Sequence, residues 1–320
     1  MLTVPSSLRL RQRGLSLVEI MVALALGAVI TLGIVQMFTA NRATYQANMG
    51  QARLQENARF ALEFMAQPLR SAGAAGCARS VAIENQFGTE GNPGGRFDLG
   101  EAVVGHAASG GGWTPGLPGA VFTGISPEAG QDIVLVKYLH TEALDVLSSG
   151  LDSIATTVPA REALYDAGAP LLISDCERAW LFESDGAEEA GGQFVIEHAL
   201  GVDPGFGPEA NVSRVLSDFY YIAPGAGTNN AGDTPLSLWR HRPGQGHTEL
   251  VEGVEQLSFQ YGVDLDGNRT PNVYRDSITS ADNVVTVRIR LTANSVDVVT
   301  DAGAVLSREF SKTVGIRNRL

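Results

Sequence analysis

The sequence predicts an α+β protein in which one long N-terminal helix precedes an antiparallel β-sheet domain with long loops. Three observations predict this class. An apolar run extends from Leu15 to Phe38, with Glu19 as its one charged residue. Apolar residues then recur at spacings of three and four, which is the pattern of one helix face: Leu54, Ala58, Ala61, Leu62, Met65 and Leu69. After Cys77, short alternating runs are separated by Gly, Pro, Asn and Asp, which is typical of antiparallel sheet.

The N-terminus is typical of an export signal that also spans a membrane. Residues 1–14 contain Arg9, Arg11 and Arg13 and no acidic residue. As a helix, the apolar run would be about 36 Å long, and a hydrocarbon core is about 30 Å thick. The positive-inside rule keeps the arginines in the cytoplasm, and no Ala-x-Ala site for ordinary signal peptidase closes the run. We therefore predict a single pass through the inner membrane, with the C-terminal domain in the periplasm.

Glu19 is unusual because it places a carboxylate within the apolar run. An unpaired charge there would cost on the order of 3 kcal/mol or more. One interpretation is that Glu19 lies near the lipid headgroups and reaches water. The other is that a positively charged group meets it within the membrane.

The residues before Glu19 resemble the class III signal of type IV prepilins and type II secretion pseudopilins. The matching segment reads Arg13-Gly14-Leu15-Ser16-Leu17-Val18-Glu19. In that family a prepilin peptidase cuts after the glycine and the new N-terminal residue is methylated, so the resemblance assigns cleavage between Gly14 and Leu15. Leu15 departs from the phenylalanine that is commonest there, although the family tolerates other apolar residues. The resemblance also implies that Glu19 neutralises the N-terminal amine of a neighbouring subunit during docking.

These features predict a pilin-like division of the chain into four segments. They are a leader peptide (1–14), a transmembrane and assembly half of the helix (15–38), its amphipathic half (39–72) and a periplasmic β-rich domain (73–320). Pro68, followed by Gly73 and Gly76, predicts that the helix ends near Arg70.

Six strands are the clearest in the β-rich domain. They are predicted at Gln131–Tyr138, Ser217–Ala223, Leu236–Arg240, Gln256–Val263, Val284–Thr292 and Val305–Val314. In the fifth, apolar and polar residues alternate, so that one face is expected to be buried against the second half of the helix. The glycine-rich stretches Gly91–Gly119 and Gly201–Gly232 are predicted to be surface insertions.

The chain has two cysteines, Cys77 and Cys176. In an exported domain they can form one disulfide, which would remove about 4 to 5 kcal/mol of unfolded-state entropy in the loop-closure description. The alternative is a pair of buried free thiols. The export signal favours the disulfide.

Several segments of the domain resemble the larger minor pilins of the PilW family. They are Ser71-Ala-Gly before Cys77, Leu171-Leu-Ile-Ser-Asp-Cys176, Phe219-Tyr-Tyr-Ile222, Leu250-Val-Glu-Gly-Val-Glu-Gln-Leu-Ser-Phe-Gln-Tyr261 and Val287-Arg-Ile-Arg-Leu291. The resemblance implies a subunit used in small numbers, which acts with other minor pilins and the major pilin in priming pilus assembly. It also implies a place at the pilus tip beside a PilY-type adhesin, in support of twitching motility or cell adhesion.

The sequence contains no pattern that predicts catalysis. The five histidines show no zinc-ligand spacing, and no nucleophile elbow or nucleotide-binding glycine motif is present, so we expect neither enzyme activity nor a cofactor. Asp264, Asp266 and Asn268 resemble the start of a calcium loop, but no glutamate follows at the twelfth position. An ordinary hairpin turn is the favoured interpretation of this segment. The formal charge of -12 argues against nucleic-acid binding.

Two other functions share some of these features. A minor pseudopilin of a type II secretion system has the same leader, stem and glutamate, and differs in the machine that it serves. A membrane-anchored binding module would use the helix only as a tether and bind its ligand through loops such as Gly91–Gly119. Glu19 separates the last hypothesis from the others, because a simple tether does not need a buried carboxylate.

Overall fold

The computed structural model describes residues 16–76, 83–87, 95–118, 121–299 and 303–318. It confirms the α+β class, because one long helix, α1 (Leu17–Ser71), precedes a domain built largely of antiparallel sheet. Helix α1 ends one residue beyond the predicted Arg70.

Sixteen strands follow α1 in the described part of the chain. They are β1 (Ile83–Asn85), β2 (Val103–Ser109), β3 (Gly112–Thr114), β4 (Ile133–Ser149), β5 (Ser153–Thr156), β6 (Pro170–Ser174), β7 (Ala179–Glu183), β8 (Gly186–Ala190), β9 (Gln193–Glu197), β10 (Asn211–Pro224), β11 (Leu236–Arg242), β12 (Gly246–Glu252), β13 (Val254–Val263), β14 (Val273–Arg275), β15 (Val284–Asn294) and β16 (Ser307–Gly315). The described residues also include short 3-10 helices at Leu99–Glu101 and Glu162–Leu164.

The described strands form one sheet of twelve strands and one of four. The smaller sheet has the order β14-β13-β15-β16. In the larger sheet, the long strands β4 and β10 pair with each other, and each pairs with different strands at its two ends. One edge of β10 pairs with β6 over residues 211–214 and with β11 over residues 219–224. The strands β1 and β5–β9 therefore form a second lobe, separate from the strands around α1.

The second half of α1 packs on the domain through the predicted face. All six of its predicted apolar residues are buried, and the helix contacts β4, β12, β15 and β16. Val287, Ile289 and Leu291 of β15 belong to the same core, as their alternation predicts. Gly50 is the first buried residue along α1, and a Cβ there would lie 3.0 Å from Val299 Cγ1, so a small residue permits this close approach.

Backbone hydrogen bonds join the C-terminal end of α1 to β4 and to the residues just after β16. The Arg317 N–H, just after β16, donates to the Arg70 carbonyl at 3.1 Å. The Gly73 N–H donates to the Lys137 carbonyl of β4 at 3.0 Å. These bonds fix the direction in which the helix leaves the domain.

The six predicted strands are all present, but the prediction of the glycine-rich stretches as surface insertions was wrong over several residues. Gly91–Gly119 contains β2 and β3, and Gly201–Gly232 contains β10. Gly105 shows the physical reason, because a Cβ at this position of β2 would lie 2.2 Å from the Tyr261 hydroxyl of the facing sheet. Here glycine permits a close approach of two sheets, and does not mark a loop.

Candidate functional site

The first half of α1 is an apolar surface that the other described residues leave uncovered. Every residue from Ser16 to Phe38 is exposed. By length and composition, the helix is long and apolar enough to cross a membrane. An apolar surface of this size requires lipid or other protein helices as its surroundings.

The N-terminus of α1 is closed by a capping box that includes Glu19. The Ser16 hydroxyl accepts a hydrogen bond from the Glu19 N–H at 3.1 Å, and Glu19 Oε2 accepts one from the Ser16 N–H at 3.0 Å. The carboxylate therefore lies where the unpaired N–H groups and the helix dipole favour negative charge. Sequence reasoning missed this local partner, although Ser16-x-x-Glu19 is the pattern of a capping box. The predicted cleavage residues, Gly14 and Leu15, lie outside the described residues.

The second half of α1 presents apolar side chains on its outer face as well. Tyr45, Met49, Phe60 and Phe64 are exposed, in two pairs at a spacing of four residues. The Arg59 guanidinium lies 5.5 Å from the centre of the Phe60 ring. The uncovered apolar surface thus continues from the first half of α1 along the side that faces away from the domain.

Charged side chains fasten α1 to the domain. Arg53 forms ion pairs with Asp297 at 3.1 Å and with Glu252 at 3.4 Å. Glu63 pairs with Lys312 of β16 and, at 2.8 Å, with Arg70. The hydrogen bonds from Lys312 and then from Arg70 lower the pKa of Glu63 from 4.5 to about 2.

Cys176 follows β6 and is disulfide-bonded. The other cysteine of the chain, Cys77, lies outside the described residues. Its pairing with Cys176 is the prediction from the sequence.

The Asp264 loop uses its carboxylates to hold its own backbone. Asp264 Oδ1 accepts hydrogen bonds from the N–H groups of Asp266 and Gly267, and Oδ2 accepts one from Arg269. Asp266 Oδ1 in turn accepts one from the Asn268 N–H. This geometry favours a turn stabilised by side-chain acceptors over a calcium site.

Two histidines that are six positions apart in the sequence lie side by side across a hairpin. His241 of β11 and His247 of β12 pair directly, and their ring centres are 4.4 Å apart. The Tyr221 hydroxyl is 2.8 Å from His247 Nδ1. In the described ranges, no three or more His, Cys, Asp or Glu side chains are grouped so that they could hold a metal ion.

Two protein families match segments of the chain, one near its N-terminus and one in its C-terminal part. The family described as Type IV Pilus-assembly protein W matches residues 219–316, which run from the end of β10 through β16. The family described as Prokaryotic N-terminal methylation motif matches residues 9–35, which include Gly14, Leu15 and Glu19. Together the two matches support a type IV pilus-associated pilin whose residues 219–316 are similar to the PilW family.

No curated protein and no solved structure matches the chain significantly. The PilW match includes β13, β15 and β16, which contribute to the core around α1. The methylation motif and the apolar helix fit a membrane-anchored pilin. A pilus-assembly family implies association with other pilus components and with the inner membrane.

Proposed function

We propose that this PilW-type chain is a minor pilin that takes part in priming type IV pilus assembly with other minor pilins. In this proposal the role is structural, and no catalysis is required. The mature chain stays near the inner membrane or travels at the pilus tip, in contact with the major pilin and a PilY-type adhesin. The observation that carries the proposal is the uncovered apolar half of α1, with a carboxylate at its N-terminus.

The length of the uncovered segment supports this role. Because Gly50 is the first buried residue of α1, the helix extends beyond the domain over residues 17–49. At 1.5 Å per residue this is about 50 Å, which exceeds the thickness of a hydrocarbon core of about 30 Å. The segment is therefore long enough to lie in the membrane before assembly and among other pilin helices after it.

The position of Glu19 supports docking between subunits. Cleavage after Gly14 by a prepilin peptidase would make Glu19 the fifth residue of the mature chain. Within the described residues, the capping box uses Oε2 and leaves Oε1 without a hydrogen bond. An incoming N-terminal amine can therefore pair with Oε1 while the capping box stays in place.

Glutamine at position 19 separates capping from charge pairing, because glutamine can also close a capping box. The measurement is the amount of the chain in sheared pili and in the membrane fraction, for wild type, Glu19→Gln and Glu19→Ala. We expect both variants to reach the membrane. Their amount in pili should fall below about a tenth of wild type. The reason is that pairing a charge in apolar surroundings contributes more than about 1.4 kcal/mol, the free energy that changes an equilibrium constant tenfold. Glu56→Gln, on the same helix, is the control.

Other outcomes of this experiment point to other roles. Full recovery in Glu19→Gln alone would limit Glu19 to helix capping. Normal incorporation of both variants would show that α1 assembles without the Glu19 carboxylate. If deletion of the gene leaves pili intact and abolishes secretion of folded exoproteins, the chain serves a type II secretion system as a pseudopilin.

A further inference from the structure

The larger sheet has a notch along one edge of β10. This edge pairs with β6 up to Arg214 and with β11 from Phe219 onward. Between these positions, residues 215–218 pair with β4 on the opposite edge. A cavity of about 350 Å³ lies at this notch, between Pro170 at the start of β6 and Pro243 at the end of β11.

The side chains around the notch are rich in positive charge. Arg96, Arg214 and Arg242 line the cavity, and none of its described lining residues is acidic. Arg242 is neutralised by the buried Asp218, which accepts its hydrogen bonds at 2.6 and 2.7 Å. The remaining two guanidinium groups have no carboxylate partner in the described structure. Arg214 donates to two backbone carbonyls, with Asp166 nearby. Arg96 Nε is buried and has no acceptor among the described residues.

Two further polar groups at the notch lack partners. Ser217 and His241 line the cavity and are 1% and 9% exposed, and neither Ser217 Oγ nor His241 Nδ1 has a hydrogen-bond partner within the described ranges. Buried polar groups are normally paired, and an unpaired one costs free energy. Burial, then His247 and Arg96, lower the pKa of His241 to about 4, so its ring is neutral at pH 7.

A fourth unpaired group lies directly beside Ser217. Lys137 of β4 is opposite Ser217 in the ladder, so their side chains share one face of the sheet. Its ammonium group is fully buried and lacks a hydrogen-bond partner among the described residues. Burial lowers the pKa of Lys137 to about 8, and the charges of Asp98 and Glu101 oppose that shift. Lys137 is therefore largely protonated at pH 7 and adds to the positive potential.

We propose that the notch binds a small oxyanion group, either a phosphate or a carboxylate. Arg96 would supply the charge, and Ser217 and His241 would supply hydrogen bonds to the oxygens. A guanidinium group suits both ligands because its planar donors match paired oxygens. This proposal does not depend on the proposed role in pilus assembly.

The test is isothermal titration of the full chain in detergent with inorganic phosphate and, separately, with acetate, at ionic strength kept constant with chloride. We expect saturable binding with a dissociation constant on the order of 1 mM. Arg96→Gln should weaken it about tenfold or more, because it removes a charge-assisted hydrogen bond. Arg308→Gln, at an exposed position, should leave binding unchanged.

Ser217→Ala keeps the test decisive if Arg96→Gln folds poorly. This substitution removes an unpaired buried hydroxyl, so the melting temperature should stay the same or rise, while phosphate binding should weaken several-fold. Saturation by acetate and not by phosphate would assign the site to carboxylates. The proposal would be overturned if neither anion gave saturable binding. It would also be overturned if Arg308→Gln weakened binding as much as Arg96→Gln does.

Discussion

Asp218 is a fully buried carboxylate beside the junction of β4, β10 and the end of α1. It accepts two hydrogen bonds from Arg242 and one from the Tyr138 hydroxyl at 2.7 Å. Burial opposes the charge of Arg242, but the bonds to Asp218 raise the pKa of this guanidinium above its ordinary value. Ala72, just after α1, forms a bridge with Tyr138. The ion pair therefore supports the point at which the helix joins the domain.

We expect Asp218→Asn to lower the free energy of unfolding by about 3–5 kcal/mol, because it leaves the Arg242 charge buried without a counter-charge. Urea unfolding followed by circular dichroism measures the loss. Asp276→Asn, at an exposed position, is the control and should change stability by less than about 0.5 kcal/mol. Equal stability of both variants would show that Arg242 finds another partner or water.

The ion pairs of Glu63 should stabilise the folded chain at neutral pH and lose this effect in acid. Its pKa is lowered to about 2 in the folded chain, so the stabilisation is complete above about pH 4.5 and is lost as the pH falls toward 2. Because the pair with Lys312 is half exposed, we expect less than about 1 kcal/mol. The measurement is the difference in unfolding free energy between wild type and Glu63→Gln, which should shrink from pH 6 to pH 2.5. A difference that stays constant over this range would exclude the ion pair as its source.

The capping contact of Glu19 is local, and the Ser16-x-x-Glu19 pattern that predicts it lies within one helical turn, although our sequence analysis did not use it. The contacts of Asp218 could not be predicted in this way, since Arg242 and Tyr138 are 24 and 80 positions away and meet it only through strand pairing. The notch at Ser217 is equally hidden, because it depends on where two other strands begin and end. Local motifs were therefore predictable, and clusters built by the sheet were not.

Among the elements, α1 has one methionine on its buried face and another on its outer face, so the same substitution tests both faces. Met65 is fully buried against the domain, whereas Met49 is 55% exposed on the outer face. We expect Met65→Ala to destabilise the folded domain by about 2–5 kcal/mol through lost burial and a cavity. Met49→Ala should change the unfolding free energy by less than about 0.5 kcal/mol. Similar losses in both variants would contradict the assignment of the buried face.

The predictable elements were those with a regular pattern. Helix α1 and β15 have apolar residues at helical and alternating spacing, and the structure confirms their buried faces. The polar strand β8, Gly186–Ala190, gave no such signal, because it pairs with β9 at the end of the sheet path and buries little. Strand β2 was hidden by Gly105, which is needed for contact with Tyr261.

In the whole molecule, the PilW match lies within the lobe that packs on α1. Residues 219–316 contain the strands β11–β16, and the second lobe, β1 and β5–β9, lies before them in the chain. The second lobe has its own apolar core, which includes Tyr165, Phe182 and Phe194. The prediction of six strands therefore captured strands of the part that supports α1 and assigned none of the strands of the second lobe.

Cys176, which follows β6 of the second lobe, is disulfide-bonded. If its partner is Cys77, as the sequence predicts, the bond closes a loop of about 100 residues, and its loss should lower stability by about 4–5 kcal/mol in the loop-entropy description. The measurement is the melting temperature of wild type and Cys176→Ser, each with and without dithiothreitol. Reductant should lower the wild-type value to that of the variant and leave the variant unchanged. An unchanged wild type would argue against a stabilising bridge.

We infer that the chain enters the prepilin pathway through its N-terminus. Mass spectrometry of the mature N-terminus tests it most directly, with wild type and Gly14→Ala expressed with and without a prepilin peptidase. We predict an N-terminus at a methylated Leu15 that requires the peptidase and is lost in Gly14→Ala. An uncut chain, or one cut elsewhere, would contradict the account and leave α1 as a plain membrane anchor.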